Sequence, residues 1–443
     1  MKLKRTIQGI LWGLIYLLLI LFPVLVMFIA PHPIGREFWR ELSVSLGFIG
    51  MAIMALQFAL TARFKWLKAP YGADIVYHFH RQISFTALVL ILAHPLLLFI
   101  FNPQTLKLLL FWSAPWRARA ALAATLCLIA VIAFSVWRKK WKIEYSRWRI
   151  WHAILAMGAV AFALVHMLLV GHYIDLPWKR VLWIVYGLFW IGLLVYTRLI
   201  KPAMMKRTPY EVVEVIPERG NSWTLTLKPI KHAGFRFHPG QFAWITLWDS
   251  PFADTEHPFS FSSSAENHEQ LSFTIKELGD FTSRIKEVKA GQIAYLDGPF
   301  GAFSCDRHSH AQEFVFIAGG VGITPMMSML RTLADRGDQR PLTLLYANKE
   351  WEQMTFREEL EVLKERLNLT LVYVLENPHE GWQGEQGFIN RDILSRFIPN
   401  TEQRNQIEIF VCGPAPMMNA VERLLDQMGV FPGDLHSERF DFV

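Results

Sequence analysis

The sequence predicts a multi-domain protein: a six-helix transmembrane bundle, then an antiparallel β-barrel, then an α/β Rossmann-like domain. Apolar residues make up 52% of the 443-residue chain and are concentrated before residue 200. From Tyr210 the pattern changes to short alternating strands with turn residues between them. From Glu313 apolar strands alternate with helices, and the first strand runs into its helix through a glycine turn. The expected domains are residues 1–205, 209–305 and 311–443.

Six apolar segments reach the ~20 residues needed to span a bilayer. They are 8–30, 43–62, 76–101, 118–137, 149–171 and 181–200. The first follows MKLKR, but its apolar run is too long for a signal peptide and no small-residue cleavage site follows, so it is expected to span. The net charge of +7 gathers at the ends of these segments, so it reports membrane topology rather than nucleic-acid binding. One side carries Lys2, Lys4, Arg5, Arg63, Lys65, Lys68, the run from Arg138 to Arg149, and Arg198 to Arg207. The other side has fewer basic residues, so both termini are expected in the cytoplasm. Cys127, Cys305 and Cys412 show no CxxC spacing. That excludes a disulfide scaffold, a zinc ribbon or an iron–sulfur cluster, and it fits a cytosolic soluble half.

The third span carries His80 and His94, and the fifth carries His152 and His166, each pair fourteen residues apart. Fourteen residues at about 100° each return to within about 40° of the starting direction, over a rise of ~21 Å. Each helix thus presents two imidazoles on one side, one in each half of the membrane. The charge bias makes both spans run outward, which sets His80 level with His152 and His94 level with His166. Matched pairs at matched depth suit two bis-histidine hemes stacked across the membrane. His78 and His172 point elsewhere and are not expected to be ligands.

Lys201 to Pro209 reads as a short basic linker, and strands follow at 211–215, 222–228 and 242–248. His257-Pro258-Phe259-Ser260 begins a stretch that suits a flavin: an aromatic ring contact, hydroxyls near the flavin nitrogens and a histidine toward phosphate. Thr274 and Lys276 lie on the next strand and are further candidates. Gly279-Asp-Phe281-Thr282 is expected to open a helix through about Val288, whose N-terminus would bind a pyrophosphate. Asp297-Gly-Pro-Phe-Gly301 closes the barrel.

Glu313 to Ala318 is an apolar strand entering Gly319-Gly320-Val-Gly322-Ile-Thr324-Pro325, then a helix from Met326 to Arg336. Such a unit binds a nucleotide phosphate, with glycines letting the backbone approach it. Further strands are expected at 342–346, 369–374 and 406–411, the last ending in Cys412-Gly413-Pro414 where ligands bind in such sheets. Cys412 either polarises or shields a nicotinamide, or is simply a small buried residue. Lys349 follows the second strand without a preceding acid, which favours a 2′-phosphate and hence NADPH; Glu350 and Glu352 keep NADH open. In the tail, Phe440 either covers the flavin until nicotinamide displaces it or packs in the core.

The paired-histidine spans resemble the ferric reductase transmembrane domain. HPFS, GDFT, DGPFG, GGVGITP, CGP and ERF resemble the ferredoxin–NADP reductase modules of NADPH oxidases and ferric reductases. The resemblance is ordered along nearly the whole chain. It implies FAD, NAD(P)H and two b-type hemes, with His257 to Ser260, Gly279 and Thr282 at FAD, and Gly319, Gly320, Gly322, Thr324 and 412–414 at the nicotinamide nucleotide. The implied activity carries electrons from cytosolic NAD(P)H across the bilayer to oxygen, giving superoxide, or to ferric chelate. The chain departs from animal NADPH oxidases in carrying Leu98 where they have a further outer histidine, in its short outer loops and in lacking EF-hands. Delivery to a periplasmic protein partner is the alternative, and a heme transporter with a regulatory nucleotide domain is a third reading that the intact motifs oppose. A bacterial inner membrane is the expected location.

Overall fold

The computed structural model describes residues 2–27, 29, 35–64, 72–253, 255–398 and 406–439. The chain forms two compact units that part after Pro202. The first holds six helices long and apolar enough to cross a membrane: α1 Lys2–Met27, α2 Phe38–Thr61, α3 Ala73–Phe101, α4 Trp116–Trp137, α5 Tyr145–Val170 and α6 Pro177–Val195. Most begin several residues before the apolar runs predict. A helix must satisfy its own backbone in lipid, but nothing stops it continuing through flanking Trp and Arg residues, as at Trp116-Arg117 and Tyr145 to Trp151.

The expected linker at 201–209 is instead mostly helical. After α6 a π-turn, Tyr196–Ile200, leads into α7, Lys201–Arg207. Pro202 has no N–H to donate, and here it lies in the first turn of α7 just past the π-turn, where the missing donor costs least.

The second unit begins with an antiparallel six-stranded sheet in the order β4-β3-β6-β1-β2-β5. Its strands are β1 Tyr210–Glu218, β2 Ser222–Pro229, β3 Phe242–Leu247, β4 His257–Ser260, β5 Leu271–Lys276 and β6 Ile293–Phe300. The sheet closes on itself where Phe261 bridges Phe273 and the Ser262 N–H donates to Ser272 O at 2.7 Å. Phe261, Phe273, Leu225, Leu227 and Ile245 fill the interior.

A parallel sheet follows, ordered β10-β9-β8-β7-β11-β12. It comprises β7 Glu313–Gly319, α8 Ile323–Asp335, β8 Leu342–Asn348, α9 Arg357–Arg366, β9 Leu369–Leu375, β10 Glu385–Gln386, α10 Arg391–Phe397, β11 Ile407–Cys412, α11 Ala415–Gln427 and β12 Leu435–Ser437. Helices α8 and α9 cover one face and α10 and α11 the other. β7 lies between β8 and β11, which makes the ends of β7 and β11 the point where strand order reverses and ligands bind.

Helix α8 joins barrel to sheet. The Ser328 hydroxyl donates to Ser263 O at 2.8 Å, the Thr332 hydroxyl accepts from Ala265 N–H at 2.8 Å, and Arg336 pairs with Glu266 and Asp306, both at 2.6 Å. Arg331 forks onto Glu359 at 2.7 and 2.6 Å and donates to Ser262 O at 2.5 Å. Arg331→Ala strands that carbonyl and carboxylate. We expect a loss of about 1–3 kcal/mol, measured as a lower melting temperature.

Candidate functional site: paired histidines and a two-domain nucleotide cleft

In the membrane unit the structure sets His80 opposite His152, ring centroids 6.3 Å apart, and His94 opposite His166, 6.4 Å apart. All four imidazoles are only half-buried by protein. A metal bound between two imidazoles by bonds of about 2 Å each would hold the ring centroids about 6 Å apart. The Nδ1 atoms are largely committed elsewhere. His94 Nδ1 lies 2.8 Å from Ser43 O and 3.0 Å from Ser43 Oγ, His152 Nδ1 is 3.1 Å from Ser135 Oγ, and His166 Nδ1 is 2.8 Å from Arg117 O. A ring that donates from Nδ1 turns Nε2 and its lone pair toward the partner ring, as a metal ligand requires. His80 Nδ1 makes no hydrogen bond among the described residues. These residues fit heme.

The supports for the histidines were not singled out from sequence. Ser43, Gly47 and Gly50 lie along α2, and a Cβ on Gly47 would come within 3.3 Å of the His94 ring. The Ser43-x-x-x-Gly47 spacing, a small-residue pattern for close helix approach, was the available signal. On the other level Trp148 lies 5.1 Å from the His152 ring and donates to Ser135 Oγ at 3.3 Å. Ser43→Ala removes one contact but leaves the Ser43 carbonyl. We expect roughly ten-fold weaker retention of a heme held between His94 and His166, scored as the heme lost per chain during dialysis.

In the barrel, β4 carries His257, Pro258, Phe259 and Ser260, with Pro258 and Ser260 buried and the other two half-buried. The His257 ring stacks on Phe281 at 4.0 Å, Phe259 lies 5.9 Å from the same ring, and Trp248 meets its edge at 5.3 Å. His257 Nδ1 is 3.0 Å from Thr255 O. Ser262 Oγ, two residues beyond Ser260, is buried with no hydrogen-bond partner among the described residues. A flavin's ring and polar edge fit this combination of aromatic face and hydroxyls.

The expected helix after Gly279 is a six-residue 3₁₀ turn, Thr282–Glu287. Its hydroxyl is also used locally: Thr282 Oγ1 accepts from the Leu278 and Gly279 N–H groups, both at 2.9 Å. So Gly279 does not aim its N–H outward, although nothing lies within 4 Å of where its Cβ would be. A turn this short gathers little helix dipole, which corrects the anion-site argument made from sequence.

The glycines of the nucleotide turn divide into two roles. Gly320, with φ +53° and open space around a would-be Cβ, is the one that leaves room for a ligand. A Cβ on Gly319 would come within 3.0 Å of Pro414 Cδ, one on Gly322 within 2.8 Å of Gly413 Cα, and one on Gly413 within 3.0 Å of Gly319 N. Gly322 and Gly413 let the turns after β7 and β11 pack backbone on backbone, and Gly319 leaves room for the Pro414 and Met417 side chains. Cys412 is buried at the end of β11. Thr324 donates to Val321 O at 2.8 Å and reaches the Thr274 carbonyl at 3.4 Å, tying this turn to β5 of the barrel. The Thr274 hydroxyl is paired with Thr224 at 2.8 Å. Burial, and to a lesser degree the like charge of Lys349, lowers the pKa of the Lys276 ammonium. Phe440 lies outside the described residues.

Residues 46–163 match the ferric reductase like transmembrane component, 206–318 an FAD-binding domain and 316–423 the oxidoreductase NAD-binding domain. The chain has a ferric reductase/NADPH oxidase-like fusion architecture. A stachydrine N-demethylase reductase subunit of Rhizobium meliloti is 29% identical over 238 residues, 52% of this chain and 66% of that one. A glycine betaine monooxygenase reductase subunit of Pseudomonas aeruginosa is 30% identical over 234 residues, 52% of this chain and 63% of that one. NADH-cytochrome b5 reductase 2 of Phaeosphaeria nodorum is 31% identical over 186 residues, 40% of this chain and 55% of that one. The chain thus spans at most 66% of the length of these relatives. The cytochrome b5 reductase domain of Ulva prolifera nitrate reductase superposes at TM-score 0.46 and 22% identity, over 53% of this chain and 98% of that one.

Proposed function

We propose that the chain is an NAD(P)H oxidase or ferric reductase-type oxidoreductase. It carries electrons from cytosolic NAD(P)H through FAD and two b-type hemes to molecular oxygen or ferric iron on the outer face. The observation that carries this reading is the two cross-helix histidine pairs, matched in separation at 6.3 and 6.4 Å. FAD, when bound, takes a hydride as two electrons and releases them singly, which one-electron heme iron requires. The chain's part is to hold and orient. His80 with His152, and His94 with His166, are the proposed axial pairs. Ser260 would offer a hydroxyl to the flavin's polar edge, with His257, Pro258, Phe259, Thr274, Phe281, Gly279 and Thr282 around FAD. Gly320 would admit the nicotinamide nucleotide's pyrophosphate, Lys349 would pair with the 2′-phosphate of NADPH, and Lys276 would lie beside FAD with Thr274. Gly319, Gly322, Thr324, Gly413 and Pro414 would shape that cleft, Cys412 would shield the nicotinamide, and Phe440 would cover the flavin until displaced.

The charge bias supports both termini inside, and the compact loops suit a bacterial cell membrane. Outward transfer then runs with an inside-negative potential, gaining ~2.3 kcal/mol per electron per 100 mV.

The test uses protein purified in detergent and loaded with FAD. NADPH is added without oxygen and the heme spectrum recorded; air or ferric chelate follows. Heme reduction, then superoxide at close to the rate of NADPH consumption, supports an oxidase. Slow reoxidation by air but fast reoxidation by ferric chelate supports an iron reductase, and reoxidation only by an added periplasmic fraction supports a protein acceptor. No heme reduction would sink the reading. On the nucleotide side, Lys349→Ala should raise the KM for NADPH about ten-fold, the loss of one phosphate ion pair, and leave NADH unchanged. Equal effects on both would remove the 2′-phosphate assignment.

A further inference from the structure

Apart from the residues assigned above, the parallel-sheet half holds a cluster of ligating side chains. Glu408, on β11, is an acid among aromatic neighbours, and only 3% of its side chain is exposed. His308 Nδ1 lies 3.0 Å from Glu408 Oε2, His436 Nε2 lies 2.6 Å from the same oxygen, and His310 Nε2 lies 3.1 Å from Oε1. The ligating atoms of His308, Glu408 and His436 all fall within 4.8 Å of one another. Phe410 closes one side, 5.7 Å from the His308 ring and 4.9 Å from the His436 ring.

We infer that this cluster is a zinc-class divalent metal site, with His308, Glu408 and His436 as ligands and water in the fourth position. Buried carboxylates are paired or bind metals, and here two imidazoles from distant segments converge on one oxygen. Tetrahedral ligands about 2.0–2.2 Å from zinc stand about 3.3 Å apart, so the Glu408 oxygen would draw back about 0.7 Å from His436 and about 0.3 Å from His308 to admit the ion. His310 on the second carboxylate oxygen is the outer partner that orients a ligating carboxylate. Imidazole with carboxylate suits zinc better than calcium or magnesium, which take oxygen ligands. The three ligands come from the segment after the barrel, from β11 and from β12. A bound ion would therefore fasten β12, and the chain that follows it toward Phe440, to the strand that ends in Cys412. This is a positioning role, independent of whether the hemes are present.

The experiment takes the full chain purified through a tag without histidines. Zinc is measured by mass spectrometry after dialysis, and by X-ray absorption at the zinc edge. About one zinc per chain, with imidazole scattering in the edge spectrum, is the expected result. Glu408→Gln and His436→Gln should each lose it while FAD content is unchanged. His310→Gln should retain zinc with affinity weakened roughly ten-fold, which keeps the test decisive if the buried variants fail to fold. Stripping the wild type with chelator should lower its melting temperature, and zinc alone should restore it. Wild type without zinc and without a zinc-dependent melting shift would overturn the site, leaving a metal-free hydrogen-bonded cluster. So would zinc held equally by wild type and His310→Gln without imidazole scattering.

Discussion

His94→Leu is expected to halve the heme content of the purified protein and to lower acceptor reduction at least a hundred-fold, while NADPH still reduces FAD at the wild-type rate. Leucine keeps the apolar bulk but offers no lone pair, and His166 alone cannot supply both axial bonds. The His80 and His152 pair is a separate site fourteen residues along each helix, a rise of ~21 Å, so the inner heme should remain. Removing the outer carrier leaves a gap of that order between the inner heme and the outer face. Ser43 O also loses the imidazole N–H at 2.8 Å, a small local cost within a helix that still satisfies its own backbone. The readouts are heme per chain by pyridine hemochrome, anaerobic flavin bleaching by NADPH, and reduction of oxygen or ferric chelate. Undiminished acceptor reduction at the outer face with only one heme bound would disprove the proposed electron path.

The histidine pairing was legible because it depends on one local quantity, the helical repeat, applied twice. Spacing within α3 and within α5 put the rings at two levels, and the charge bias alone decided which level faced which. What lay beyond reading was anything that a third element decides. Ser43 and Gly47 support His94 only because α2 packs there, and Arg117 O meets His166 only because α4 begins where it does. The same is true of α8. Ser328, Arg331, Thr332 and Arg336 sit on one helical face and read as ordinary helix polarity until the barrel's 262–266 segment is placed against them. The 282–287 turn failed for a local reason: Thr282 caps its own preceding N–H groups, which favours a tight turn over a longer helix. The buried Glu408 cluster was not legible because His308 lies a hundred residues before Glu408 and His436 lies 28 beyond it, with no shared motif.

Gly322→Ala should lower kcat/KM for NADPH about 10–100-fold and also lower the melting temperature. A methyl there would stand 2.6 Å from the Cys412 carbonyl carbon and 2.8 Å from Gly413 Cα. Both neighbours are backbone, so no rotamer change relieves the clash; one of the two turns must move. Overpacking of this kind costs about 1–3 kcal/mol, and displacing the turn after β11 shifts the residues proposed to meet the nicotinamide. Gly320→Ala is the discriminating control. Nothing lies within 4 Å of its added methyl, and its φ of +53° imposes a penalty of its own, about 1–2 kcal/mol. If Gly320 leaves room for phosphate, that variant should raise the KM for NADPH with kcat nearly unchanged, because it obstructs binding without moving the Cys412 turn. Stopped-flow flavin reduction across NADPH concentrations separates the two patterns. Equal kcat loss in both variants would mean that the turns move together and that Gly320 has no separate ligand role. Wild-type kinetics in Gly322→Ala would show that the packing of the two turns does not control hydride transfer.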